Sequence, residues 1–288
     1  IFRLIDLLSL YKMNVLHLHL TDDEGWRLEI PGLEELTEIG ARRGHTLTES
    51  DRLYPLYGSG WNPDAGAPGS GYYTCEDFEE ILRYAARHHI RVIPEIDMPG
   101  HSRAAIKAMN ARYARYISTD PDRAREYLLS DSCDTSVYRS AQEYTDNVMN
   151  IAMPSAYRFV RKVLGELHRM YEKAGVKLSV VHIGGDEVPR GAWSGSPICR
   201  EFMDRNGFAD THALKDHFVR WLYGELDAEG IRLAGWQEIV MLPDGRHVNW
   251  ELPGRRILSY GWNTLPSEGL DEVPYALANA GYPVILCN

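Results

Sequence analysis

Six short apolar runs alternate with longer stretches of helical periodicity, and this alternation limits the chain to few folds. The runs are NVLHLHL (14–20), HIRVIPEID (89–97), LSVVHIG (178–184), IRLAGWQ (231–237), RILSYGW (256–262) and YPVILCN (282–288). Between them lie helical patterns at 76–89, 154–174 and 211–229, and an amphipathic segment, IFRLIDLLSL, occupies 1–10. Thr74 and Asp77 stand in capping-box spacing at the start of the first of these. The second has Pro154 in its first turn and Gly175 just past its end, and Gly230 stops the third. Strands that alternate with helices form a parallel sheet with helical crossovers. Units of this length favour a (β/α)8 barrel over an open sheet. The expected fold is therefore α/β, a (β/α)8 TIM barrel that is incomplete, with about six of eight strands and the first and last missing. Residues 1–288 are expected to be one such domain, units one or two through seven. No internal repeat or linker interrupts it.

Charge and composition exclude several functions. Lys plus Arg number 31 and Asp plus Glu 41, a net charge of −10. With no basic block to neutralise phosphates, neither nucleic acid nor an anionic membrane surface is an expected partner. No run of about 18 apolar residues suggests a membrane span. Cys75, Cys133, Cys199 and Cys287 show no metal-binding spacing and are expected as separate thiols. The long segments 43–73 and 118–153 are expected to follow strands and so to lie on the barrel face where active sites are built.

Three segments carry candidate chemistry. In HIGGDEVPRGAW (182–193), Asp186 and Glu187 follow two glycines where the strand ends, so both carboxylates can face one pocket. Two neighbouring carboxylates do not ionise independently, and one is driven toward the neutral, proton-donating state that general-acid chemistry needs. In HLHLTDDEGWR (17–27), His17 and His19 share a strand face, and Asp22 and Asp23 follow at its end. Such an HxH can belong to a metal site. In PEIDMPGHSRAA (94–105), Glu95, Asp97 and His101 cluster near another strand end, where an Asp from the neighbouring strand can orient the His. Trp236 and Trp262 stand at strand ends and can wall a sugar pocket or fill a core.

Together these motifs make the sequence resemble the catalytic domain of family 20 glycoside hydrolases, the β-N-acetylhexosaminidases, including bacterial chitobiases. The matching stretches are KMNVLHLHLTDDEGWRLEI, GYYTCEDFEEILRYAARHHIRVIPEIDMPGHSRAA, NVMN, PSAYRFV, VVHIGGDEVPRGAW, GWQE and SYGWN, in family order across nearly the whole chain. The resemblance implies removal of terminal β-linked N-acetylglucosamine or N-acetylgalactosamine, with the substrate's own 2-acetamido group as nucleophile and no cofactor or metal. It implies that Glu187 is the acid/base and that Asp186 holds the acetamido N–H and stabilises the oxazolinium cation. Trp236 and Trp262 would wall the acetamido group and sugar ring, His101 would pair with Asp22 or Asp23 near the acid/base, and His182 would support from behind. The family's first-strand Arg and its groups after the seventh strand have no counterpart here. A segment with two open sheet edges is expected to be poorly stable and nearly inactive when expressed alone. A location outside the cytoplasm is expected from where such sugars occur. Two alternatives stand beside this reading: a metal-dependent hydrolase using His17, His19 and a later His or Asp, and a non-catalytic sugar-binding relative.

Overall fold

The structure, a computed structural model, describes residues 1–56, 58–62, 68–250, 252 and 256–287. In chain order the strands are β1 (Val15–His19), β2 (Thr21–Asp22), β3 (Gly25–Trp26), β4 (Arg91–Glu95), β5 (Val180–His182), β6 (Arg232–Trp236), β7 (Leu258–Gly261) and β8 (Val284–Leu286). The helices are α1 (Phe2–Leu10), α2 (Glu35–Glu38), α3 (Cys75–Arg87), α4 (Arg103–Tyr116), α5 (Pro121–Arg125), α6 (Pro154–Ala174), α7 (Pro197–Asn206), α8 (Thr211–Ala228) and α9 (Val273–Asn279).

Strands β1, β4, β5, β6, β7 and β8 form one parallel sheet in that order, and β2–β3 is a short antiparallel hairpin. Six strands joined by helical crossovers, each beside its predecessor, make an incomplete (β/α)8 barrel. All six expected strands are present, each shorter than its apolar run. Asn288, the end of the last run, lies outside the described residues, as do residues 57 and 63–67 of the segment 43–73.

The helices form where capping chemistry and apolar periodicity agree. Thr74 accepts from the Asp77 N–H while Asp77 accepts from the Thr74 N–H, so α3 begins with both halves of the capping box. Helix α6 starts at Pro154 and ends on Gly175 at φ 69°, a left-handed position that suits glycine. Its Phe159, Val160, Val163, Leu167 and Met170 are buried, and Phe78 of α3 meets Tyr171 edge-on at 6.0 Å. The opposite face of the sheet carries a smaller apolar layer of Ile93, Val180, Ala234, Leu258 and Tyr260.

The segment 118–153 corrects one expectation. It follows helix α4 and includes α5, so it does not leave a strand directly. Helix α4 escapes an apolar-periodicity reading because its buried face is small or charged: Ala104, Ala105 and Ala108 with Arg103 and Arg112. Arg112 pays for its burial with Glu35 of α2 at 3.1 Å. Arg103 is bound by Glu49 and, at 2.7 Å, by Asp146, which ties both long segments to the start of α4. Among the described residues all four cysteines are free, and no helix is long and apolar enough to cross a membrane.

Candidate active site

Parallel register sets the floor of the site. His19 of β1 pairs with Glu95 of β4, and Glu95 pairs with His182 of β5, so the three residues lie side by side at the C-terminal ends of adjacent strands. Residues at one register level share a face. Glu95 therefore becomes a hub. Its Oε2 accepts from His19 Nδ1 at 2.9 Å, and His17 Nε2 approaches the same oxygen to 2.9 Å. Its Oε1 accepts from the Trp236 indole at 3.0 Å and lies 3.1 Å from His182 Nδ1. Burial alone would raise this carboxyl, but its imidazole neighbours outweigh that and hold it well below the usual carboxylate range.

The rim above is built by the chain leaving β5. Gly184 and Gly185 take φ of 64° and 87°, and Glu187 follows at 46°. A Cβ on Gly184 would fall on the carboxylate of Asp97, and Gly185 would meet Ile239. Asp97 is buried and accepts from the Gly185 N–H at 3.2 Å, so it cannot step aside. Gly184→Ala is therefore expected to cost about 3 kcal/mol or more, combining left-handed strain with a clash against a buried, hydrogen-bonded carboxyl. The urea midpoint measures it, and an unchanged midpoint would contradict this account of the turn.

This turn brings Asp186 and Glu187 into one cavity of about 290 Å³, together with His19, Asp22, Asp97, His101, Gln142, Trp236 and Trp262. His101 stands between them: its Nε2 is 3.4 Å from Glu187 Oε2 and 3.7 Å from Asp186 Oδ2. On its other side Nδ1 lies 3.0 Å from Asp22 and 3.5 Å from Asp23. Asp22 is thus its nearer partner. Asp23 is committed elsewhere, accepting from the Asn147 amide at 2.8 Å and the Arg103 N–H at 3.1 Å. Burial disfavours the His101 cation, but hydrogen bonds to Asp22 and Asp23 and the charges of Asp97 and Asp186 push its pKa up to about 12. Burial pushes Asp186 up to about 7, helped by the charge of Glu238 and opposed by that of His101. Desolvation, rather than repulsion within the pair, is thus the main reason this carboxyl is perturbed.

The remaining sequence candidates fall in two groups. Trp236 and Trp262 line the cavity, Trp262 donating to both carboxylate oxygens of Glu238 at 3.0 and 3.1 Å. His182 does not reach it. It is fully buried beneath, accepts from the Gly184 N–H at 3.1 Å, and burial lowers its pKa. Two groups at the site were missed from the sequence. Gln142 donates to Glu187 Oε2 at 3.0 Å across 45 residues, and nothing in its surrounding sequence marks it. Glu238 lies in the GWQE motif, where its coupling to Trp262 could have been suspected.

The donor sets also bear on the metal alternative. His17, Glu95 and His182 lie close enough to share an ion, as do Asp97, His101 and Asp186. An ion at the first set would have to take Glu95 from its imidazole and indole donors. One at the second would face a carboxyl that burial drives toward its neutral form. At these two sets the chemistry suits a hydrogen-bonded carboxylate hub better than a metal centre; His19, Glu95 and Asp97, and Asp22, Asp23 and His101, also lie close enough to share an ion.

The family model for the glycosyl hydrolase family 20 catalytic domain matches residues 1–288. A beta-hexosaminidase of Vibrio vulnificus is 41% identical over 289 residues, covering 99% of this chain and 33% of that protein. An N,N'-diacetylchitobiase of Vibrio harveyi is 38% identical over 319 residues, covering 100% of this chain and 35% of that one. The chain thus spans about a third of the length of these curated relatives. A crystal structure of a GH20 exo beta-N-acetylglucosaminidase from Vibrio harveyi, in complex with N-acetylglucosamine, superposes with a TM-score of 0.78 at 37% identity, covering 99% of this chain and 38% of that one. A match that runs the whole length of the chain, joined to this fold, places it plainly: it belongs to the catalytic domain of glycosyl hydrolase family 20.

Proposed function

We propose that this chain carries the acid/base and oxazolinium-stabilising groups of a retaining β-N-acetylhexosaminidase, which removes terminal β-linked N-acetylhexosamine from oligosaccharides or glycoconjugates. The observation that carries the reading is the placement of adjacent Asp186 and Glu187 in one cavity walled by Trp236 and Trp262. The relatives' names, and the N-acetylglucosamine bound in the Vibrio harveyi structure, support the substrate class.

In this reading Glu187 gives its proton to the glycosidic oxygen as the C1–O bond breaks. The acetamido carbonyl oxygen attacks C1 and closes a cationic oxazolinium ring. Asp186 accepts the acetamido N–H and supplies the anion that this ring needs, and the burial of its side chain, 17% exposed, strengthens that attraction. Glu187, now a carboxylate, takes a proton from water, which opens the ring at C1. His101 stays beside both carboxylates, held by Asp22, and offsets their charge. The sugar attacks itself, so the protein needs no nucleophile of its own. Residues 1–288 are read here as part of a single catalytic barrel domain, units one or two through seven. A location outside the cytoplasm accords with a substrate found on polymers and glycoconjugates.

The test compares an aryl N-acetylglucosaminide with the matching aryl glucoside, using the full-length protein. Loss of the acetamido group removes the nucleophile, so kcat/KM is expected to fall by about 10³-fold or more. Equal rates on the two would overturn the reading.

A further inference from the structure

The hub and the rim are joined by one side chain. His19 Nδ1 is 2.9 Å from Glu95 Oε2, and its Nε2 is 3.0 Å from Asp22 Oδ2. The second oxygen of Asp22 binds His101 Nδ1 at 3.0 Å, and His101 Nε2 faces Asp186 and Glu187. A neutral imidazole has one N–H, whereas an ionised carboxylate can only accept. An imidazole that bridges two carboxylates must therefore donate from both nitrogens and carry a positive charge.

We infer that His19 is a positioning residue of the reaction centre: as a bridging imidazolium it fixes Asp22 on His101 and sets the charge felt by the Asp186–Glu187 pair. The inference rests on the functional reading above and goes beyond it, because His19 contacts neither carboxylate of that pair directly.

Every charged group packed around His19 fits this role. Glu95 from β4 and Asp22 from β2 are its acceptors, and both favour its cation, outweighing the burial that disfavours it; together they raise its pKa to about 10. Asp97, beyond β4, lies in the same cluster of donors. His17 from its own strand and His182 from β5 share the hub, and burial keeps His182 low. Tyr260 from β7 packs its ring on both of them, at 5.2 and 4.7 Å. The imidazole of His101, beyond Asp22, is strongly raised as well. The His19 side chain is 46% exposed, so replacing it leaves no sealed cavity.

The test is the pH dependence of kcat and KM for His19→Gln in the full-length protein. Glutamine keeps one amide donor and loses the charge. With one positive charge gone, both limbs of the kcat/KM profile are expected to move to higher pH by about half a unit or more. At the optimum, kcat is expected to fall about tenfold with KM changed less than threefold, since a positioning group acts on the transition state more than on binding. His19→Asn, shorter and also neutral, should shift the limbs in the same direction and serves if the Gln variant folds poorly. A uniform loss of rate with both limbs unmoved overturns the inference, because that is what a merely structural contact would give. The comparison uses whichever aryl glycoside the wild type turns over. Wild-type preference between acetamido and plain glycosides therefore tests the functional reading separately from the limb shift.

Discussion

Glu187→Gln is expected to lower kcat/KM by about 10²- to 10⁴-fold on substrates whose leaving group must be protonated as it departs, the usual worth of a positioned general acid. The loss should shrink steadily as the leaving group becomes a more stable anion, because such a group leaves without a proton. Two features make the variant a clean probe. The residue sits on a left-handed turn fixed by the preceding glycines, so an isosteric side chain keeps its backbone. Gln142, which donates to Glu187 Oε2, can donate equally to an amide oxygen. A series of aryl N-acetylglucosaminides with graded leaving groups measures the slope. An equal loss across the series would remove Glu187 from the role of acid.

Asp186→Asn is expected to behave oppositely in two respects. In the proposed reaction every substrate passes through the same cationic ring, so the rate loss, about 10²- to 10³-fold, should not depend on the leaving group. Folding stability should rise at the same time. Burial raises the Asp186 pKa to about 7 from an ordinary 3.8, so the neutral form is the one the folded protein favours. For a carboxyl raised on folding, the stabilising contribution is complete below the unfolded value and disappears as pH climbs through the folded one. The wild type thus loses stability between about pH 4 and pH 7, and an amide does not. The variant should be about 1–3 kcal/mol more stable at pH 8, with the gap closing toward pH 4. Urea denaturation at the two pH values checks it. A constant gap would mean that Asp186 is not the group that titrates.

These two carboxylates were legible because the sequence marks both their position and their freedom to turn. A strand run, two glycines and two acids in succession leave few arrangements. The six strands and helices α3, α6 and α8 were legible for similar reasons, since capping residues and terminal glycines act within a turn or two of one another. The rest was hidden by distance. Whether Asp22 or Asp23 partners His101 depends on Asn147 and the start of α4, which claim Asp23 first. Gln142 reaches Glu187 from a segment held by distant partners, Arg103 on Asp146 and Asp23 on Asn147 among them. Helix α4 hides its inward face behind alanines and paired arginines, so its pattern looks solvated. The HxH motif reads as a metal site in isolation. Only the folded structure shows both imidazoles within 2.9 Å of the same Glu95 oxygen.

Glu95 collects side chains from β1, β5 and β6 while standing on β4, and this has a practical outcome for laboratory evolution. Positions 17, 19, 95, 182 and 236 behave as a single locus, because residues sharing one partner do not contribute additively. A screen that varies them one at a time should return only losses. Under the proposed function, an altered sugar preference is better sought by randomising the set together, or by leaving it intact and changing the outer loops.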